Sequence, residues 1–119
     1  MDESVGLSIV IPVFNSSQTI GCLVRDLESL KISGGLEIIL VNDGSTDNSQ
    51  QVCEELARTS LVPVTVIEHT KNYGEHNAVM SGFRLVNGRY VITMDDDFQN
   101  PPDEVPRLYE FIQKQDKDV

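Results

Sequence analysis

The chain has 119 residues, 39% of them hydrophobic, which is enough for one domain (residues 1–119) with its own core and excludes two. Its formal net charge of −10 disfavours nucleic-acid binding, because a phosphate backbone is drawn to basic surfaces, and it would repel any anionic substrate unless a cation reversed the local sign. No stretch approaches the ~20 consecutive apolar residues of a membrane span, and Met1-Asp2-Glu3-Ser4 lacks a signal peptide's charge pattern, so a soluble, cytoplasmic chain is expected.

Taken in order, the chain alternates strand and helix. Leu7 to Val13 is nearly continuously apolar, the pattern of a strand covered on both faces. Ile20, Leu23, Val24, Leu27 and Leu30 follow helical spacing, with Ser16 or Ser17 as the expected cap and Gly34-Gly35 as the stop. Leu36 to Val41 reads as the second strand, and Val52, Cys53 and Leu56 mark a second helix capped near Thr46 or Asp47. Val64 to Ile67 is the third strand. A third helix carries Ala78, Val79, Gly82, Phe83 and Val86 and closes at Asn87-Gly88. Tyr90 to Met94 is the fourth strand. Asn100-Pro101-Pro102-Asp103-Glu104 then starts a fourth helix, whose buried stripe is Val105, Leu108, Tyr109 and Ile112. Cys22 and Cys53 fall in helices without a C-x-x-C partner and are expected as buried or half-buried free thiols.

Such alternation predicts an α/β fold with a parallel sheet between helices. Right-handed crossovers favour the strand order third, second, first, fourth. The order reverses between strands one and four, and ligands in open α/β sheets bind at such a reversal, beyond the carboxyl ends of the strands. The fourth strand is also expected at an unprotected edge, which invites self-association.

Four segments converge on that crevice. Pro12, Phe14 and Asn15 follow strand one; Phe14 either stacks on a nucleobase or packs the loop. In Val41-Asn42-Asp43-Gly44-Ser45, Asp43 either accepts a hydrogen bond from a base N–H, as uracil or guanine offers, or only shapes the turn. The polar segment Asn72-Tyr73-Gly74-Glu75-His76-Asn77 follows strand three and either lines the site floor or forms a turn and cap. Strand four empties into Asp95-Asp96-Asp97. Along an extended run Asp95 and Asp97 share one side and Asp96 the other. Two like charges roughly 5 Å apart repel by about 3 kcal/mol at an effective dielectric of ~20, a crowding that a shared cation relieves. Hard oxygen ligands at this spacing suit Mg²⁺ or Mn²⁺, and Gln99 adds a neutral oxygen. A helix-loop-helix calcium site does not fit, because Asn100 and Pro106 stand where that loop requires Gly and Glu. Neither G-x-G-x-x-G nor G-x-x-x-x-G-K-[ST] occurs, so a carboxylate-held metal is the expected substitute for a phosphate cradle.

Together, Ser8-Ile9-Val10-Ile11-Pro12-Val13-Phe14-Asn15, Val41-Asn42-Asp43-Gly44-Ser45-Thr46-Asp47 and Asp95-Asp96-Asp97-Phe98-Gln99-Asn100-Pro101-Pro102 resemble the family 2 glycosyltransferases with the Rossmann-like GT-A fold. Asn72-Tyr73-Gly74 through Gly82-Phe83 and the Gln-x-Pro-Pro ending resemble the polyprenyl-phosphate sugar transferases in particular. The resemblance implies inverting transfer from a UDP- or GDP-sugar to a lipid phosphate or glycan acceptor at the cytoplasmic face of a membrane. By position, Pro12, Phe14, Val41 and Asp43 would surround base and ribose, and Asn15, Asn72 and Gly74 would complete the nucleotide-sugar site. Asp95, Asp97 and Gln99 would hold Mg²⁺ or Mn²⁺ on the diphosphate, Asp97 being the catalytic residue, and Asp96 would contact the nucleotide through its backbone. Asn42 departs from the pattern where many relatives have Asp, and Ser16 where some present an acid. Relatives also carry a second half, with acceptor-binding residues and often membrane helices. The chain therefore resembles a donor-binding portion, expected to transfer little sugar alone and to meet a membrane only through parts beyond it.

Two rival classes fit less well. A receiver-type Mg²⁺-dependent signalling domain needs an acidic pair after strand one, where this chain has Pro12-Val13-Phe14-Asn15. A sugar nucleotidyltransferase needs a basic glycine-rich loop there. A catalytically silent nucleotide-sugar-binding module remains compatible with the residues.

Overall fold

Unbroken apolar strands need cover on both faces, and the helices supply it. The computed structural model describes residues 5–117. Its elements are β1 (Val5–Val13), α1 (Ile20–Glu28), β2 (Leu36–Asp43), α2 (Ser49–Thr59), β3 (Val64–His69), α3 (Glu75–Phe83), β4 (Gly88–Thr93) and α4 (Val105–Lys117), with a 3-10 turn at Pro102–Glu104. The sheet order is β3-β2-β1-β4 and every pairing is parallel, with Ile9 opposite both Ile38 and Ile92, and Val41 opposite Ile67. Among the described residues β4 is an edge strand, as expected.

Successive strand side chains leave on opposite faces. Leu7, Ile9, Ile11 and Val13 of β1 and Leu36, Ile38 and Leu40 of β2 enter a large core with Ile20, Leu23, Val24 and Leu27 of α1, Cys53 and Leu56 of α2, and Val105 and Tyr109 of α4. Val10, Ile39 and Val41 face the other way, onto Ala78 of α3. That second core is thin, so α3 must sit close. A Cβ on Gly82 would lie 2.5 Å from Val10 Cγ1, so only glycine permits this approach. Cys53 is buried, and burial pushes its thiol pKa up to about 12; Cys22 lies exposed on α1, where a covered thiol was expected.

Element boundaries move where side chains are committed elsewhere. Neither Ser16 nor Ser17 caps α1: the N-cap is Thr19, because the Ser16 hydroxyl is engaged by the Phe14 carbonyl and the Asp96 carboxylate. The helix ends at Glu28, before Gly34 and Gly35. Asn48 rather than Thr46 or Asp47 is the N-cap residue of α2, though Asp47 accepts from the Ser49 N–H from just outside it. Asn100 does not cap α4. Its side chain accepts from the Asp95 N–H at 3.4 Å, and the 3-10 turn comes first.

Helix α3 stops at Phe83, short of Asn87-Gly88, because Asn87 is held by a buried carboxylate. Glu37 on β2 accepts from the Ser8 hydroxyl (2.5 Å), the Asn87 N–H (2.6 Å) and the Asn87 side-chain amide (3.1 Å), while Gly88 N–H donates to Ser8 Oγ (2.7 Å). This network fastens the start of β4 to β1 and β2. Glu37→Ala would strand the Ser8 hydroxyl and the Asn87 N–H, costing about 2 kcal/mol, to be read as a lower urea midpoint with an unchanged m-value.

Candidate functional site

The carboxyl ends of β1, β2 and β4 and the start of α3 enclose a cavity of about 230 Å³. Its lining includes Pro12, Phe14, Asp43, Asn72, Gly74, Asp95 and Asp96, seven of the residues singled out from sequence. An adjoining cavity of about 110 Å³ shares Pro12, Glu75 and Asp95 and extends between Val79 and Thr93. Asn15, Val41, Asp97 and Gln99 line neither. Val41 is completely buried in the smaller core. Glu75, which sequence reading placed only within a polar segment, lines both; its position at the first turn of α3, directly after Gly74, was the available signal.

Asn15 is a fastener. It adopts φ 52°, a conformation that asparagine tolerates better than most residues. Its side-chain oxygen accepts from the Thr46 N–H (2.8 Å) and its own N–H donates to Ser45 Oγ (2.9 Å), binding the loop after β1 to the loop after β2. Phe14 is left 45% exposed, with its ring free at the rim and its N–H on Asp96 Oδ2 (3.0 Å).

The pleat separates Asn42 from Asp43. Asn42 turns toward α2, where it donates to Gln50 (2.8 Å) and accepts from Ser45. Asp43 turns toward α3 and is almost fully buried. Its Oδ1 accepts from the Tyr73 N–H and His69 Nδ1, and its Oδ2 from the Gly74 N–H, all at 2.9 Å. A carboxylate offers about four acceptor positions, so one remains on Oδ2. Burial by itself would raise the Asp43 pKa; the bonds from His69, Tyr73 and Gly74 outweigh it and hold the carboxyl below its usual range. Turn shaping and base reading are therefore compatible in one side chain.

Alternation continues past β4 as far as Asp96. Met94 N–H still bonds the Val10 carbonyl, Asp95 joins Glu75 at the cavity wall, and Asp96 turns to α1, where its main-chain oxygen accepts from Thr19 Oγ1 (2.8 Å). The chain bends from Asp96 onward, so the extended geometry expected to align Asp95 with Asp97 is interrupted, and Phe98 beyond it adopts φ 66°. Asp97 instead pairs with Gln99, whose N–H and side-chain amide lie 3.3 and 3.1 Å from its two oxygens. Asp96, expected to act through its backbone, contributes a carboxylate that locks the loop after β1.

Among the described residues no three His, Cys, Asp or Glu side chains gather into a metal cage. Mg²⁺ does not require one, since it is usually held by one or two carboxylates with the substrate's phosphates. Asp95 and Asp97 carry the hard carboxylate oxygens that such an ion takes, and Gln99, whose amide nitrogen donates to Asp97 at 3.1 Å, presents its amide oxygen there when that group turns over. These residues fit such an ion.

Asp47 supports the same loops. The Ser49 hydroxyl, followed by the main-chain N–H groups of Ser49 and Ser17, lowers its pKa to about 2. A depressed carboxylate pKa stabilises the fold above the unfolded value and ceases to do so as pH falls through the folded one. Stability is therefore expected to be level above about pH 4 and to decline toward about pH 2, with Asp43 contributing in the same direction. Urea midpoints across this range should show Asp47→Asn flattening the decline.

Residues 8–119 match the model of the glycosyl transferase family 2. The undecaprenyl-phosphate 4-deoxy-4-formamido-L-arabinose transferase of Pseudomonas savastanoi is 43% identical over 86% of this chain, and that of Proteus mirabilis 45% over 86%. The chain spans about a third of the length of these relatives (31% and 32%). Among solved structures, S. aureus TarS 1–349 superposes with a TM-score of 0.76 at 20% identity, covering 92% of this chain and 33% of that one. Glucosyl-3-phosphoglycerate synthase of Mycobacterium tuberculosis, solved with Mn²⁺ and UDP, superposes at 0.72 with 23% identity, covering 91% and 39%. The sheet order, the cleft at its reversal and these matches agree on one kinship: the chain belongs to glycosyl transferase family 2 and has the GT-A fold.

Proposed function

We propose that this chain is the donor-binding portion of an inverting glycosyltransferase that passes a sugar from a UDP- or GDP-sugar to a polyprenyl phosphate at the cytoplasmic face of a membrane. The observation that carries this reading is the cleft itself. An exposed aromatic, a carboxylate with a free acceptor position and an acidic loop line one cavity. The undecaprenyl phosphate in the names of those relatives supports the acceptor, and the UDP held with Mn²⁺ in the M. tuberculosis synthase supports a nucleotide-sugar donor. The cavity of about 230 Å³ is below the ~300–1,000 Å³ of most small-molecule sites, as suits an open half-cleft completed by further chain.

The residues divide the work. Phe14 stacks on the base, and the Asp43 carboxylate accepts its ring N–H. Asp96 holds the Phe14 loop in place. Asp95, Asp97 and Gln99 supply oxygens for Mg²⁺ or Mn²⁺. Such an ion, when bound, stabilises the charge developing on the departing diphosphate. A lipid phosphate is already anionic and needs no strong general base, whereas a glycan hydroxyl would.

Calorimetric titration of UDP and GDP, each with and without Mn²⁺, tests the reading. The expected result is binding of one nucleotide that strengthens at least about tenfold with Mn²⁺, consistent with a cation offsetting repulsion in an acidic cleft. Binding indifferent to the metal would remove Asp95, Asp97 and Gln99 from the scheme.

A further inference from the structure

His69, at the last position of β3, has no role in the scheme above. Its imidazole bridges two elements that the sheet does not join: Nδ1 lies 2.9 Å from Asp43 Oδ1 on β2, and Nε2 lies 2.9 Å from Ser81 Oγ on α3. The side chain is only 12% exposed and meets the Tyr73 ring edge-on, with centroids 5.4 Å apart. Both ring nitrogens are therefore spent. Because Asp43 is ionised and accepts, Nδ1 carries the proton that it donates, and in the neutral ring Nε2 accepts from the Ser81 hydroxyl.

We propose that His69 is a positioning residue for base recognition: clamped by Ser81, it fixes the Asp43 carboxylate so that the remaining acceptor position on Oδ2 points into the cleft. This inference rests on the reading of the cleft as a nucleotide site. Tyr73 and Gly74 N–H groups also hold Asp43, but both belong to the one short loop after β3. Gly74 reaches only the N-cap of α3, whereas His69, through Ser81, ties the carboxylate to the body of that helix. Without it, Oδ1 keeps a single donor, and the carboxylate can turn with the loop. A fixed lone pair distinguishes bases by chemistry rather than size. Uracil N3 and guanine N1 carry a proton to donate, whereas cytosine N3 and adenine N1 present lone pairs that the carboxylate repels.

The test compares the affinity ratios UDP:CDP and GDP:ADP, by calorimetry in Mn²⁺, for the unaltered chain, His69→Phe and His69→Asn. Phenylalanine keeps the ring but loses both nitrogens; asparagine keeps an N–H near the Nδ1 position. The unaltered chain is expected to favour UDP or GDP over its counterpart by about tenfold or more, the worth of a hydrogen bond to a charged group. His69→Phe should compress that ratio to below about threefold and His69→Asn should restore most of it. If His69→Phe weakens both nucleotides equally and leaves the ratio unchanged, His69 serves only the fold and the proposal is overturned. Should His69→Phe not fold, Ser81→Ala decides by the same criterion, a compressed ratio supporting the proposal and an unchanged one overturning it. An unaltered chain that binds none of the four nucleotides, or all equally, would instead sink the reading of the cleft, and this inference with it.

Discussion

Asp97→Ala is expected to abolish the Mn²⁺-dependent part of nucleotide binding and leave the fold unchanged. Asp97 is exposed, and among the described residues its hydrogen bonds reach only Gln99 on the same bend. Water replaces those bonds, so the stability change should stay within about 0.5 kcal/mol. Electrostatically the residue matters more. The cavity already holds Asp43, Glu75, Asp95 and Asp96, and the chain's net charge is −10, so a pyrophosphate meets a repulsive field. Losing a carboxylate ligand should weaken nucleotide binding in Mn²⁺ by about 3 kcal/mol, roughly a hundredfold, with little change in its absence. Asp96→Ala provides the contrast. Asp96 holds the Phe14 N–H and the Ser16 hydroxyl, so its loss should weaken binding with and without the ion. Equal responses from the two variants would contradict the division of roles between them.

Gly44→Ala is expected to be the most destabilising small substitution near the cleft. Gly44 has φ +70°, and a Cβ there would run into the backbone of Lys71 and Asn72. Left-handed backbone costs an L-residue roughly 1–2 kcal/mol, and overpacking typically 1–3 kcal/mol. We expect a loss of about 3 kcal/mol, measured as a lower urea midpoint at constant m-value. The displaced backbone leads directly into Asn72 and Gly74, which line the cavity, so nucleotide binding should fall even where the variant remains folded. Full stability in this variant would show that the loops after β2 and β3 do not pack as described.

Much of the architecture was legible because it follows from local periodicity. Apolar runs such as Leu7–Val13 and Leu36–Val41 can be buried only between layers, and helical stripes such as Ile20–Leu27 supply those layers. Handedness then leaves few sheet orders, and the expected one is observed. Helix ends were less legible. Ser16 has the chemistry of a cap, and nothing local reveals that its hydroxyl is claimed by Asp96, 80 positions away. Likewise Glu37 sits in an apolar strand, and its partner Asn87 is 50 positions distant.

The same division runs through the cleft. Which segments meet there was set by strand order and by the chemistry of short motifs, so Pro12, Phe14, Asp43, Asn72, Gly74, Asp95 and Asp96 could be named from residues alone. What each side chain does was decided by contacts between segments. Asn15 and Asp96 became fasteners, Asp43 acquired His69 as a holder, and Asp97 turned to Gln99 once the chain bent from Asp96 onward. Periodicity is a property of neighbours along the chain and can be read there. The direction of a hydrogen bond depends on which donors from distant segments arrive within 3 Å, and only the folded backbone brings them together.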